Sequence, residues 1–194
     1  MTPVHPIEAE SYRILAERVD LSRFGPLGAA VVARVIHASA DPEFAETMVV
    51  DEAAVEAGVA ALAGGAPVVV DVEMVRHGIT GVDARCYLPA HAAEGTTRSA
   101  AGLALAADRH PAGAVVIVGC APTALDEVIR LHAAGRFAPA LVVGLPVGFV
   151  GAAEAKAALR ASGLPCISNV GDKGGSAVAA AALNAVARLA AARG

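Results

Sequence analysis

Three short runs constrain this chain more than any other feature: PVVVDV at 67–72, AVVIV at 114–118 and ALVV at 140–143. Each is apolar at consecutive rather than alternate positions, so each needs cover on both faces. Helical stretches separate them. Strands of this kind alternating with helices predict a parallel sheet with helices on both sides. The expected fold is therefore α/β and three-layered, with a mainly parallel sheet of about five to six strands. TMVV at 47–50, the segment 85–88 and PCIS at 165–168 supply the shorter strands.

The helices follow from periodicity and punctuation. A first helix is expected over 7–23, with Ile7, Ile14, Leu15 and Val19 on one face. A second begins at Pro26 and stops near Ala40, because Pro42 biases Asp41 away from helical geometry. Asp51 is a good N-cap for a helix through Ala63, which Gly64 and Gly65 end. A short helix or turn closes at Gly78. Helices over 96–108, 123–134, 151–161 and 175–193 complete the pattern. The last (AVAAAALNAVARLAAA) is apolar nearly all round and so is expected to be buried, with a subunit interface as a natural place for it. No repeat or linker interrupts the chain, and one domain over 1–194 is expected.

Composition removes several classes of function. Aromatic residues make up 3% with no Trp, which argues against a base-stacking platform. Net charge is −4 without a basic run, so no nucleic-acid partner is expected. Cys86, Cys120 and Cys166 form no close pair, which suggests reduced thiols and a cytoplasmic setting. The segment MTPVHPIEAE lacks the basic start and apolar core of a signal peptide, and no stretch reads as a membrane span. Thirteen of the fifteen basic residues are arginine, the better partner for carboxylates.

One histidine stands out. His37 falls in the last turn of its helix, with Arg34 three residues before it and Asp41 four after, so all three can share one side. The negative end of the helix dipole and Asp41 both favour the imidazolium, while Arg34 opposes it. A histidine so placed suits a general acid. The plainer alternative is a side chain that caps the final carbonyls. Ligands of open parallel sheets bind beyond the carboxyl ends of the strands. Three unusual loops fall there, at 119–123, 144–151 and 169–176, each leading into a helix whose free N–H groups suit an anion. None carries a P-loop or dinucleotide spacing, no serine sits in a nucleophile elbow, and the six histidines show no zinc pattern. No cofactor and no metal are expected.

Seven stretches occur in order over nearly the whole chain: HPIEAESYRIL, ARVIHASADPEF, VVVDVEMVRHGIT, TTRSAAGLAL, VVIVGCAPTAL, LVVGLPVGFVGAAEAK and DKGGSAVAAAALNA. Together they resemble the precorrin-8X methylmutase family of cobalamin biosynthesis, with its cobalt-precorrin-8 counterparts. The resemblance implies an isomerase that moves the ring-C methyl of a corrinoid from C-11 to C-12, giving hydrogenobyrinic acid or the cobalt-containing cobyrinic acid, without redox cofactor or methyl donor. It implies a homodimer with both subunits helping to build the site, and the neighbouring pathway enzymes as candidate partners. The family's catalytic histidine matches His37, and its substrate contacts resemble Ser11, Arg34, Thr80 and Arg98. Lys173, Gly174, Gly175 and Ser176 are expected to hold the acidic arms of the macrocycle. The chain departs from the family pattern at Val170 and Asp172, where basic residues are usual. A corrinoid-binding hand-over protein is the alternative from a different class.

Overall fold

The computed structural model describes residues 5–193. Among these residues six strands form one sheet: β1 (Met48–Val50), β2 (Val68–Val70), β3 (Ala84–Cys86), β4 (Val115–Val118), β5 (Leu141–Gly144) and β6 (Cys166–Asn169). Their order is β1-β6-β5-β4-β2-β3; every neighbouring pair is parallel except β1 with β6. The helices are α1 (Pro6–Arg18), α2 (Pro26–Ser39), α3 (Phe44–Thr47), α4 (Glu52–Ala63), α5 (Glu73–Gly78), α6 (Arg98–Arg109), α7 (Pro122–Ala133), α8 (Ala152–Ala161) and α9 (Ser176–Ala191).

The apolar runs behave as their composition requires. Val68, Val70, Val115, Ile117, Leu141 and Val143 face a core shared with α2, α4, α5 and α9. The alternating residues Val69, Val116, Val118 and Val142 face a second core, under α6, α7 and α8. All ten are buried, each at about 1.5–3 kcal/mol for a fully covered side chain, so the sheet is held from both sides. Gly58 lets α4 approach closely: a Cβ there would lie 2.4 Å from Leu141 Cδ2.

Three expectations change. The first helix ends at Arg18, not at residue 23: Val19 is extended, and the Asp20 carboxylate accepts from the Ser22 N–H at 2.8 Å, a local turn that competes with helix. No residue of α1 is fully buried and Ile7 is 74% exposed; Leu15, with Val19 just beyond the helix, packs against the core. The third predicted strand is Ala84–Cys86 rather than 85–88. Finally, α9 is buried by its own chain, between the sheet and α2, α4 and α5. A subunit interface is not needed to cover it, because eleven of its residues are already enclosed. No helix among the described residues is long and apolar enough to cross a membrane.

Candidate active site

The site is built at the end of α2. Ala40 takes a left-handed conformation (φ 54°) and returns its N–H to the Ile36 carbonyl, which ends the helix and leaves His37 in the last turn. Helix α1 crosses this end and presents Glu8, Ser11 and Tyr12, spaced three and four residues apart and therefore on one side. Ser11 Oγ lies 2.8 Å from His37 Nδ1. The Tyr12 ring stacks on the imidazole at 4.9 Å between centroids and 14° between planes. The half-buried imidazole is thus oriented from its edge and from its face, and no described residue hydrogen-bonds Nε2.

Glu8 organises the cations beside it. Its carboxylate accepts from Arg188 at 2.8 Å and from Arg34 at 3.0 Å. The hydrogen bond from Arg188, aided by the charges of Arg188, Arg34 and His37, holds Glu8 below the usual carboxylate range against the opposing effect of burial. Two guanidinium groups on one carboxylate leave a local positive excess, which suits an anionic ligand. Arg34 Nε is buried without a partner among the described residues. An open cavity of about 340 Å³ adjoins these groups, lined by Tyr12, Ala30, Ala33, Arg34, Arg188 and Leu189 among others.

Asp41 does not share a side with His37 and Arg34 in the way the spacing suggested. The αL turn at Ala40 swings it away, and its carboxylate accepts from Lys173 at 2.7 Å. Lys173 also donates to Glu43 at 2.7 Å. The ammonium holds Asp41 below its ordinary range, and the two carboxylates raise Lys173.

The loops beyond the strands differ in what they leave free. The N–H groups of Gly119, Cys120 and Ala121 donate to the Asp71 carboxylate at 3.2, 2.8 and 3.1 Å. The anion for that loop is therefore part of the chain. Burial nevertheless pushes the Asp71 carboxyl up. The segment 169–176 packs onto 145–148 through Gly175 N–H to Leu145 O (2.8 Å) and Gly148 N–H to Asp172 O (3.2 Å). Asp172 is exposed, and the Gly175–Ser176 backbone opens α9.

Of the residues singled out from sequence, Ser11, Arg34 and His37 come together. Lys173 reaches the turn that follows His37. Thr80 and Arg98 stand elsewhere: the Thr80 N–H donates to Asn184 Oδ1 at 2.8 Å, and Arg98, at the first position of α6, donates to the Pro89 carbonyl at 2.7 Å. Neither hydrogen-bonds His37. Sequence reasoning missed Glu8, Tyr12 and Arg188. The spacing of Glu8, Ser11 and Tyr12 was a usable signal for the first two; Arg188 lies 180 residues from Glu8 and gave none.

Fold and site define a three-layer α/β protein with an oriented imidazole beside paired guanidinium groups, the equipment of an acid–base enzyme for an anionic substrate. The family model for precorrin-8X methylmutase matches residues 6–189. A precorrin-8X methylmutase from Sinorhizobium sp. is 43% identical over 196 residues, covering 94% of this chain and 93% of the relative. A cobalt-precorrin-8 methylmutase from Methanocaldococcus jannaschii is 39% identical over 179 residues, covering 89% and 84%. The crystal structure of a precorrin-8X methylmutase from Thermus thermophilus superposes with a TM-score of 0.89 at 41% identity, over 97% of both chains. The chain belongs to the precorrin-8X methylmutase family, the isomerases that shift a methyl group within a corrinoid.

Proposed function

We propose that this chain moves the ring-C methyl of precorrin-8X from C-11 to C-12 to give hydrogenobyrinic acid, with His37 as the general acid. Protonation of a ring nitrogen makes the conjugated system cationic and lowers the barrier to migration. A placed acid of this kind contributes about 10²–10⁴-fold, and holding the macrocycle in a reactive geometry adds to it. The observation that carries the reading is the Ser11–His37 pair: the hydroxyl takes Nδ1 at 2.8 Å and leaves the far side of the ring to a ligand. Which nitrogen bears the proton depends on the tautomer. Arg34 and the opening of α9 at Gly174, Gly175 and Ser176 are the proposed holders of the acidic arms, with Thr80 and Arg98 as further contacts. Lys173 is committed to Asp41 and Glu43, so it holds an arm only by exchanging one of them.

The working unit in this reading is a cytoplasmic homodimer of single-domain subunits. Two features support the dimer. Among the described residues Thr80 and Arg98 make no hydrogen bond to the His37 cluster, so a second subunit offers a way to face them toward one macrocycle. The loop after β5 also exposes Val147, Phe149 and Val150 (47, 96 and 88%), apolar surface that association would cover.

The test is visible absorption spectroscopy of the purified protein with metal-free precorrin-8X and, separately, with cobalt-precorrin-8. Methyl migration alters the chromophore, so turnover is a spectral shift. Conversion of the metal-free form supports the reading. Conversion of the cobalt form alone replaces the substrate, and tight binding of both without a shift makes the chain a hand-over protein.

A further inference from the structure

Lys156, on α8, is completely buried, yet no carboxylate accepts from it among the described residues. Its Nζ donates to Asn169 Oδ1 at 2.9 Å and to the Lys173 carbonyl at 2.7 Å. Asn169 Nδ2 donates to the same carbonyl at 2.9 Å, so lysine, asparagine and carbonyl form a closed triangle. Arg160, from the same helix, donates to the Asn169 carbonyl at 2.7 Å. Burying an ammonium is unfavourable, and an unbranched apolar side chain would fill the space without that cost. What the ammonium supplies is a hold on the backbone of one segment.

That segment has little freedom elsewhere. A Cβ on Gly174 would lie 2.4 Å from the carbonyl oxygens of both Leu145 and Pro146, so the chain is pressed against the loop after β5. With its backbone fixed from inside, Lys173 projects its side chain onto Asp41 and Glu43, at 2.7 Å each. These two carboxylates sit in the turn that follows the His37 helix. A continuous set of contacts therefore runs from a buried cation at the end of β6 to the chain immediately beyond His37.

We propose that Lys156 is a positioning residue of the active site: it fixes the 169–175 segment, and through Lys173 it sets the turn that ends the His37 helix. The inference rests on the reading of His37 as the acid. It predicts that Lys156 and Lys173 act as one unit, because each is a link in the same path.

The experiment is a double-mutant cycle with Lys156→Met and Lys173→Met, reading kcat for precorrin-8X per folded protein well below each variant's Tm. Amide hydrogen exchange at Gly148 and Gly175 is followed in parallel. Each single substitution is expected to lower kcat by about 10-fold or more, as displacements of a supporting shell do, and the double variant to lose no more than the worse single one. Exchange at both glycines is expected to accelerate in Lys156→Met. A lysine that only stabilises the fold lowers Tm and leaves kcat within about twofold, and that result overturns the proposal, as do losses that multiply. Should Lys156→Met fail to fold, the exposed Lys173 decides the matter: kcat within about twofold of wild type in Lys173→Met breaks the path. Full turnover by His37→Ala would instead remove the reading beneath the proposal, while the exchange data would still report whether Lys156 holds the loop.

Discussion

Lys156 illustrates how far a residue's chemistry departs from its place in a pattern. In the sequence it is one of two lysines and lies on an expected helix over 151–161; in the fold it is enclosed, and burial pushes its ammonium down to about 8 from an ordinary 10.5. The native state then releases a proton that the unfolded chain keeps between those values. Stability linked to this group therefore rises as pH increases from about 8 to 10.5, by at most ~3 kcal/mol. Denaturant unfolding of wild type and Lys156→Met at pH 7.5 and pH 10 checks the sign: wild type should gain on the variant at the higher pH. A constant difference contradicts it. The place of His37 in the last turn of its helix, by contrast, was legible from spacing, since Pro42 dates the end of that helix; its role as acid is what the family resemblance implies. Its partners were less so, because Ser11 and Tyr12 look like ordinary positions of a weakly amphipathic helix until α1 is laid across α2.

At the scale of elements, the strands were the easiest to read and the loops the hardest. Consecutive valines in β2 and β4 leave no solvent face, and a sheet covered on both sides follows directly. Loop 119–123 shows the limit. Its N–H groups suggested an external anion, but Asp71, at the end of β2 and 48 residues from Gly119, supplies the carboxylate internally. Nothing in local sequence announces such a pairing. Segment 169–175 is a closer fit still, and Gly174 is its tightest point. Gly174→Ala forces a Cβ against two backbone oxygens. The expected cost is about 1–3 kcal/mol, read as a lowered midpoint in urea, together with a fall in turnover as Lys173 shifts. An unchanged midpoint would mean that the two loops separate easily.

For the whole molecule, the long apolar α9 is buried as its composition implies, and its own chain, for which a subunit interface was the natural alternative, supplies the cover. Alanine allows both, and only the assembled layers decide. Apolar surface that the layers leave open is found on the loop after β5, at Phe149 and Val150. Replacing both with serine should weaken self-association by tenfold or more, an effect on the order of an interface anchor. Light scattering coupled to gel filtration reads it as a fall from twice the 19.2 kDa chain mass toward one; a wild-type protein that already runs as one chain contradicts the dimer.

In the proposed reaction a single imidazole, oriented by Ser11 and Tyr12, supplies the acid. The most direct test is His37→Ala mixed with the substrate that wild type converts, followed by visible absorption. The variant should bind it with affinity close to that of wild type while kcat falls by about 10²-fold or more. Turnover near the wild-type rate would show that the methyl shift proceeds without this acid.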